Sequence, residues 1–459
     1  MNLSIRRGAT LAVTPLLIGA LFAYLLSTHF YVYLVYLLLG VFYYLLVRRF
    51  GREMSFLFLI PIVTVALVLV GQIFLLDFYD HNGLNPIKIH PLVLSLLVLV
   101  YLTLLEDVLR GKFVWDRVAK LTVAIFVVFL GITLWKRGLS GVSYFNQNYL
   151  GPLSFFYFIY SQKKYDLHKL RLFTNVLIVV MVLMGIWGVV EYINQATPLQ
   201  TIYDTETPTW IEGSYHEGYR IKTSIGHPLD NAIMFLFAMI LVQTNIRNAY
   251  LKYGILLLFM VDLLASGSRS IFLLSFFVLL YNNSIKETGW AFFKKYLYFL
   301  VPAVLLVLGM LFSPLGQTII NRFNNAGEST QARFLFINYF LHHLFSFQML
   351  GLGGATSTIA LYNSRYEKVY LENPWIILFF EVSYFILLFL AYLYVVIRRV
   401  DFKYFVIIML IALSAMNSFG VKTIDIYALF YLLAYFFAHR QARLGSKSSP
   451  PEYERIAGG

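Results

Sequence analysis

Long apolar stretches follow one another along almost the whole chain, and short polar segments separate them. A helix of about 20 apolar residues crosses the hydrocarbon core of a bilayer and satisfies its own backbone hydrogen bonds there. Only 13% of the 459 residues are charged, whereas about 25% are charged in soluble domains. The sequence therefore predicts an all-α, polytopic helical membrane protein that is embedded in the lipid bilayer.

The apolar stretches predict about fourteen transmembrane helices. They lie near residues 9–27, 30–47, 54–76, 90–105, 119–135, 149–161, 172–193, 229–245, 250–265, 270–282, 296–312, 374–397, 402–418 and 424–438. The first stretch is too long for the core of a signal peptide, and no small-residue cleavage site follows it, so we expect a span there. We predict N-terminal helices with a first large outer loop (1–217), a transmembrane core (218–438) and a disordered cytoplasmic tail (439–459).

Basic residues are distributed unevenly between alternate loops. If the N-terminus is cytoplasmic and the predicted helices alternate in direction, the cytoplasmic segments contain most of the 36 lysine and arginine residues. Cytoplasmic loops of membrane proteins are enriched in these residues, so we expect this orientation, with both termini in the cytoplasm. The positive charge is spread along a membrane face, where it contacts anionic lipid, and a nucleic-acid partner is not expected.

Two predicted outer loops stand apart by their length, residues 194–228 and residues 313–373. The second is the longest polar interval between two apolar stretches, and insertions of this length are usually functional or disordered. Its aromatic and aliphatic residues argue against disorder. We therefore expect residues 313–373 to provide part of an extracytoplasmic active site.

The basic residues on the predicted outer side include several at the ends of spans or in the long loop: Arg220, Lys222, Arg269, Arg322 and Arg333. Each alone is typical of an anchor to lipid headgroups. Together, on the side where positive charge is disfavoured, they predict an anionic substrate. A diphosphate is the expected group, because the guanidinium fork of arginine binds pairs of phosphate oxygens.

Metal and nucleotide chemistry have weaker signals. The sequence contains no cysteine, and the predicted outer histidines, which include His227, His342 and His343, lack the spacing of metal ligands. No metal and no cofactor are therefore expected. The sequence GLGG at residues 351–354 has two interpretations, a phosphate-binding loop or a flexible turn.

Asp262 is a charged residue inside a predicted span, close to the outer end of its helix. A charge near the bilayer centre costs roughly 2.5–3.5 kcal/mol on insertion scales, so such a residue is a functional candidate. The sequence also leaves open a buried structural pair, with Arg269 as the expected partner, and a carboxylate that contacts water.

A series of short motifs follows in the second half of the chain. They are Arg220 with IGHP at residues 225–228, Ser268-Arg269, GESTQAR at residues 327–333, GLG at residues 351–353, and Glu372-Asn373 before a span that contains Glu381. Their order and spacing resemble the O-antigen ligase and polymerase superfamily of bacterial envelope glycosyltransferases. The resemblance covers roughly residues 218–383, and the N-terminal half resembles the family only in hydropathy.

One motif departs from the family pattern. The family's His-Asn-x-x-Leu is Glu372-Asn373-Pro374-Trp375-Ile376 here, and Ser383 stands where glycine is usual. The family histidine is the proposed base of ligases, so its replacement by Glu372 favours a polymerase. A carboxylate serves as a general base when burial raises its pKa, although a simple interfacial charge is the alternative interpretation of Glu372.

The resemblance implies a metal-independent polymerase in the bacterial cytoplasmic membrane. It would transfer a growing glycan from polyprenyl diphosphate to the non-reducing end of another undecaprenyl-diphosphate-linked oligosaccharide, in contact with a flippase and a chain-length regulator. Arg220, Arg269 and Arg333 would stabilise the diphosphate, and Glu372 would be the base. The implied substrate-binding residues are Lys222, His227, Arg322, His342, His343 and Asn373, and the alternative bases are His342, His343, Glu328 and Asp230.

Two other functions are compatible with the sequence. A glycan ligase would move a finished polymer to a different acceptor. A flippase or transporter of lipid-linked oligosaccharides would place charged residues along a central path near the midplane and would show internal repeats. The charges of this chain gather at the outer ends of the spans and no repeat is visible, so the polymerase is the favoured hypothesis.

Overall fold

The computed structural model describes residues 31–60, 91–113, 115–196, 219–225, 228–280, 340–345, 349–355, 373–414 and 423–447. All regular secondary structure in this part of the chain is helical, which confirms the predicted all-α class for it. Among these described residues, three helical stretches are long and apolar enough to cross a membrane: Arg117–Arg137, Leu167–Asn194 and Pro374–Ile397. The total of fourteen spans stays a prediction, and the candidate spans near 9–27 and 296–312 lie outside the described residues.

Except for the short helix Val142–Phe145, the described helices overlap predicted apolar stretches. They are α1 (Tyr31–Phe50), α2 (Pro91–Leu109), α3 (Arg117–Arg137), α4 (Val142–Phe145), α5 (Gly151–Tyr160), α6 (Leu167–Asn194), α7 (Pro228–Asn245), α8 (Ala249–Ala265), α9 (Arg269–Leu280), α10 (Pro374–Val382), α11 (Ile386–Ile397), α12 (Lys403–Ser414) and α13 (Thr423–Lys447). A π-helical turn, Asn146–Leu150, joins α4 to α5, and a 3₁₀ turn, Ser383–Phe385, joins α10 to α11.

The sequence predicts a transmembrane α-helix near residues 54–76, but the described start of this stretch is not α-helical. Arg52–Leu57 forms a 3₁₀ helix, and both of its charged residues are buried. Arg52 pairs with Asp107 of α2, and Glu53 accepts a hydrogen bond from the backbone N–H of Asp166 (2.8 Å). These contacts fix the segment between α1 and its neighbours, because a buried charge is stable only when it is paired.

Capping residues define where several helices begin. Asp116, Asp166 and Asn248 precede α3, α6 and α8, and each side chain accepts a hydrogen bond from a backbone N–H of the first turn (2.8–3.2 Å). Such a cap satisfies a backbone N–H that has no partner within the helix, and it contributes about 1 kcal/mol to the stability of the folded protein. At its other end α6 stops at Gln195, which has the left-handed conformation common at helix ends (φ 50°).

Helices α13 and α7 form the centre of the bundle. Residues 425–439 of α13 and residues 230–243 of α7 are all buried. The ring of Tyr431 on α13 contacts the rings of Phe56 and Phe237, with centroids 5.1 and 5.3 Å apart. The Tyr431 hydroxyl donates to the carbonyl of Phe56, so this polar atom is satisfied within the apolar core.

Helices α3 and α6 expose apolar side chains along their length. Val127 of α3 is 67% exposed, and Leu183 and Ile193 of α6 are 61% and 71% exposed. A continuous apolar face of this kind marks a surface that contacts another apolar phase. With the length and hydropathy of the same two helices, this face indicates a membrane protein whose α3 and α6 contact lipid.

Segments that the sequence assigns to one side of the membrane contact one another in the structure. On the predicted cytoplasmic side the contacts are Arg52–Asp107, Arg399–Asp116 (3.2 Å), Arg443–Asp401 (2.9 Å) and Asp166–Glu53 (2.8 Å). On the predicted outer side they are Ile221–Ala265 (3.3 Å), Leu352–Thr133 (3.3 Å) and Gly351–Glu381 (2.9 Å).

These two groups of contacts lie at opposite ends of the bundle. Asp116 and Thr133 are near the two ends of α3, and a rise of 1.5 Å per residue separates them by about 25 Å. We call the end with Asp116 the inner end and the end with Thr133 the outer end. The grouping agrees with the alternation of helix direction that the predicted topology assumes.

Replacement of Arg52 by alanine is expected to destabilise the protein by about 3–5 kcal/mol, because it leaves the carboxylate of Asp107 without its partner in a partly buried place. The two side chains are only 10% and 18% exposed. Arg48→Ala is the matched control, since that side chain is 59% exposed and lies 3.9 Å from Glu106, and it is expected to cost less than about 1 kcal/mol. Thermal unfolding of the two variants in detergent measures the difference, and equal unfolding midpoints would contradict the assigned role of Arg52.

Candidate functional site

Glu191, near the outer end of α6, holds the segment that contains Arg220. The Glu191 side chain is almost completely buried. It accepts hydrogen bonds from the hydroxyl of Tyr219 (2.8 Å), the backbone N–H of Lys222 (2.7 Å) and the backbone N–H of Thr223 (3.0 Å). Three donors on one carboxylate both satisfy its buried charge and fix the path of residues 219–225.

The same segment is attached to α7 and α8. Thr223 has a φ of 46°, and its hydroxyl donates to the side-chain oxygen of Asn231 on α7 (2.6 Å). The Asn231 amide donates in turn to the carbonyl of Ile221 (3.1 Å). Ile221 donates its backbone N–H to the carbonyl of Ala265, the last residue of α8 (3.3 Å). Contacts with three helices therefore set the position of residues 219–225.

Arg220 and Arg269 lie in neighbouring segments at the outer end. Arg220 directly precedes Ile221, and the Ile221–Ala265 hydrogen bond places it beside the turn that connects α8 to α9. Arg269 is the first residue of α9. Both side chains are half-buried. The structure thus brings together the segments of two of the three arginines that the sequence assigns to the diphosphate.

Several predicted site residues lie outside the described residues. They are Arg333, Glu372, Arg322, His227 and Glu328. The described members of the predicted set besides Arg220 and Arg269 are Lys222, His342, His343, Asn373 and Asp230. Lys222 lies next to Glu191 through its backbone, and Asp230 is buried in the first turn of α7.

Asp262 of α8 does not form the expected pair with Arg269. Its side chain is completely buried, and neither carboxylate oxygen has a hydrogen-bond partner in the structure. The carboxylate faces α6, where Gly185 and Gly188 make room for it. A Cβ atom added at either glycine would lie 2.7 Å from an Asp262 oxygen. The helix packing therefore directs Asp262 into the α6–α8 contact, away from water and from the α8–α9 turn.

A second buried carboxylate, Glu381 of α10, holds the turn at residues 351–354. The backbone N–H of Gly351 donates to the carbonyl of Glu381 (2.9 Å). The Glu381 side chain accepts hydrogen bonds from the backbone N–H groups of Gly353 and Ala355, and Arg137 at the end of α3 interacts with its charge. These contacts join α3, α10 and the long loop at the outer end.

The GLGG turn is occupied by protein groups and is not a phosphate-binding loop. Leu352 donates its backbone N–H to the hydroxyl of Thr133 (3.3 Å), and Gly354 donates to the carbonyl of Gly351 (2.8 Å). With the contacts of Gly351 and Gly353 to Glu381, all four backbone donors of the turn are used. Glycine is required at Gly353, since its φ is 73° and a Cβ would lie 2.5 Å from the ring of Tyr144.

Ser383 has a backbone conformation that favours glycine. Its φ of 53° and ψ of −143° end α10 and start the short turn before α11. A residue with a Cβ pays a strain of order 1–3 kcal/mol in such a region. The hydroxyl of Ser383 is buried without a hydrogen-bond partner in the structure, so the side chain provides no compensation for this strain.

Asn373 and the two adjacent histidines lie near the start and the end of α10. The Asn373 side chain caps the helix by accepting hydrogen bonds from Trp375 (3.0 Å) and Ile376 (3.3 Å). His342 is exposed and His343 is half-buried. Their segment lies against the end of α10, since Tyr384 donates its hydroxyl to the carbonyl of Leu344 (2.7 Å). The oxygen of Asn373 is thus committed to the helix, whereas the histidines remain accessible.

Comparisons with protein-family models, with curated proteins and with solved structures find no match for this chain. Its function is therefore argued from its own residues and their geometry.

Sequence reasoning missed Glu191, Arg137 and Tyr144. Glu191 carries a usable signal, because it is the only acidic residue of α6 and lies one turn from the end of an otherwise apolar helix. Arg137 and Tyr144 carry no comparable signal. Their roles come from contact with a turn that follows much later in the chain.

Replacement of Glu191 by glutamine is expected to loosen residues 219–225, because an amide turns an NH₂ group toward backbone donors that need an acceptor. Losing one such bond costs about 1–3 kcal/mol, which corresponds to amide exchange that is faster by about 5- to 150-fold. Hydrogen–deuterium exchange of the peptide that covers residues 219–225 measures this. Glu106→Gln at the inner end is the control, and unchanged exchange in Glu191→Gln would contradict the assigned role.

Replacement by alanine is expected to destabilise the protein more at Gly353 than at Gly111. Gly111 has a similar φ of 68° but no atom within 4 Å of an added Cβ, so Gly111→Ala pays only a backbone strain of roughly 1–2 kcal/mol. Gly353→Ala adds a clash with the Tyr144 ring. Unfolding midpoints of both variants, and of Gly353→Ala combined with Tyr144→Ala, test the difference. The combination should recover part of the loss, and equal effects at the two glycines would refute the close packing.

Proposed function

We propose that the protein is a membrane-embedded glycan polymerase. It transfers a growing glycan from polyprenyl diphosphate to the non-reducing end of another lipid-linked repeat unit. The observation that carries this proposal is the placement of Arg220 and Arg269 in adjacent segments at the outer end, with the Arg220 segment fixed by Glu191. Two arginines that approach from different loops are suited to the two phosphates of one diphosphate.

The proposed chemistry uses no metal and no nucleotide. The acceptor hydroxyl attacks the anomeric carbon of the donor glycan, and the bond between that carbon and the diphosphate oxygen breaks. The electron pair leaves with the diphosphate, where Arg220, Arg269 and Arg333 stabilise the developing negative charge. The hydroxyl proton passes to Glu372, the residue directly before the helix cap Asn373.

The geometry around α10 supports the family resemblance on which the chemistry rests. The family carries a Gly-x-Gly pair and, later, a helix with Glu and Gly. In this chain the corresponding Glu381 binds the turn of Gly351 and Gly353, so two separate motifs form one contact. Ser383 occupies the family's glycine position with a φ of 53°, the conformation for which glycine is selected.

The bilayer has a direct role in this function. The polyprenyl tail stays in the hydrocarbon phase beside exposed apolar helices such as α3 and α6, while the sugars meet in water at the outer end. The proposed location is the bacterial cytoplasmic membrane, with both termini in the cytoplasm and the site outside. A flippase that supplies the repeat unit and a regulator of chain length are the proposed protein partners.

Removal of one phosphate-binding arginine is expected to lower polymer formation by about 10²–10³-fold, the usual cost of deleting one group that stabilises developing charge. The assay contains purified protein in liposomes and the lipid-linked repeat unit, without nucleotide sugar or metal, and gel electrophoresis of the glycan shows the product ladder. Arg220→Ala, Arg269→Ala and Arg333→Ala are compared with Arg48→Ala at the inner end, which should keep full activity.

The products separate the proposal from its competitors. A ladder with wild type and its loss in the three variants supports a polymerase. One transfer event without a ladder would indicate a ligase, and movement of the unchanged repeat unit across the bilayer would indicate a transporter. Full polymer formation by all three arginine variants would refute the assigned site.

A further inference from the structure

A cavity of about 320 Å³ opens at the inner end, far from the candidate site. Four parts of the chain form it: the cap of α3, the end of α5 with the turn that follows, the turn between α11 and α12, and the last turns of α13. Small-molecule sites occupy about 300–1,000 Å³. This cavity is therefore large enough for a compact polar group such as a phosphate and too small for a whole phospholipid with its acyl chains.

The charged lining of the cavity is strongly positive. Its cations are Lys163, Arg399 and Arg440, and its carboxylate is Asp116. Asp116 is already engaged within the protein, because one oxygen caps α3 (3.0 Å) and the other accepts from Tyr160 and Arg399 (3.2 Å). The carboxylate thus offsets Arg399 and leaves two further cations on the wall.

Arg440 and Lys163 have no acidic partner among the described residues. Arg440 donates to the carbonyl of Arg398 (3.0 Å), a neutral acceptor that fixes the side chain without neutralising it. Lys163 is exposed at the mouth of the cavity. A fixed guanidinium and an exposed ammonium that line one cavity suit a phosphate group, which has oxygens for both.

Part of the remaining wall is apolar. Tyr157, Phe437 and Leu444 form this part, beside the polar Ser161, Gln162 and Gln441, and Leu444 is 49% exposed on the last part of α13. The site thus has a cationic side and an apolar side, and it opens beside an exposed leucine. These features suit an amphiphilic ligand. Basic pockets between membrane helices on the cytoplasmic side are known to take lipid headgroups.

We propose that this cavity binds the phosphate group of an anionic phospholipid at the cytoplasmic face, through Lys163 and Arg440. Arg399, held by Asp116 and Tyr160, provides the rigid wall between them. The acyl chains lie outside the cavity along the apolar surface at Leu444. Because the ligand contacts α5, the α11–α12 turn and α13 together, its binding stabilises the packing of the C-terminal helices.

The test measures thermal unfolding of the full-length, delipidated protein in detergent. Phosphatidylglycerol, phosphatidylcholine, glycerol 3-phosphate and inorganic phosphate are titrated separately. A ligand that binds only the folded state raises the unfolding midpoint with concentration. Phosphatidylglycerol is expected to raise the unfolding midpoint of the protein, whereas the zwitterionic phosphatidylcholine is not. If the soluble phosphates stabilise the protein as strongly as phosphatidylglycerol does, the cavity binds phosphate but its ligand is a soluble phosphate and not a lipid.

Matched variants connect the effect to the cavity. Lys163→Gln combined with Arg440→Gln is expected to weaken phosphatidylglycerol binding at least about tenfold, whereas Arg247→Gln, an exposed basic residue outside the cavity, leaves it unchanged. If the double variant does not fold, Lys163→Gln is tested alone, because its exposed side chain makes no contact that folding needs. In addition, added salt must weaken the binding of phosphatidylglycerol to the wild-type protein. Equal stabilisation by both lipids, or an equal loss in Arg247→Gln, would overturn the proposal.

Discussion

Burial of carboxylates among apolar helices is the constraint on which the outer end of this protein depends. Hydrogen-bond donors offset the desolvation cost of a buried carboxylate. Glu191 obtains two backbone N–H donors and the Tyr219 hydroxyl, and Glu381 obtains two backbone N–H donors, all from segments that are distant in sequence. Each carboxylate therefore determines the path of a turn, residues 219–225 for Glu191 and the GLGG turn for Glu381.

This arrangement has a consequence for catalysis. Charge stabilisation is effective when the donors are fixed before the charge develops, because no energy is then spent on reorienting them. Arg220 is part of the segment that Glu191 fixes, and the contact between Ile221 and Ala265 connects that segment to the turn before Arg269. In the proposed function, Glu191 would therefore act on the diphosphate indirectly, by fixing the segment that contains Arg220.

The two ends of the bundle use charge differently. At the inner end, arginines and carboxylates pair directly, as in Arg52–Asp107 and Arg399–Asp116. At the outer end, Glu191 and Glu381 accept hydrogen bonds from backbone N–H groups. The unpaired cations at the inner end, Lys163 and Arg440, are the exception, and they line the cavity.

The sequence by itself determined the helical class and the positions of most described helices. Hydropathy suffices for this, because a bilayer imposes the same length and polarity on every span. It also selected Arg220 and Arg269. It did not identify Glu191, and it left two interpretations for GLGG and three for Asp262.

Only the tertiary structure decided these points. The partners of Glu191 lie after a long loop, those of Glu381 belong to the turn near Arg137 and Tyr144, and Asp262 fits a space left by Gly185 and Gly188. Such contacts depend on which helices are neighbours and how they are rotated. Hydropathy fixes neither, since lipid and a neighbouring helix present equally apolar surfaces to a span.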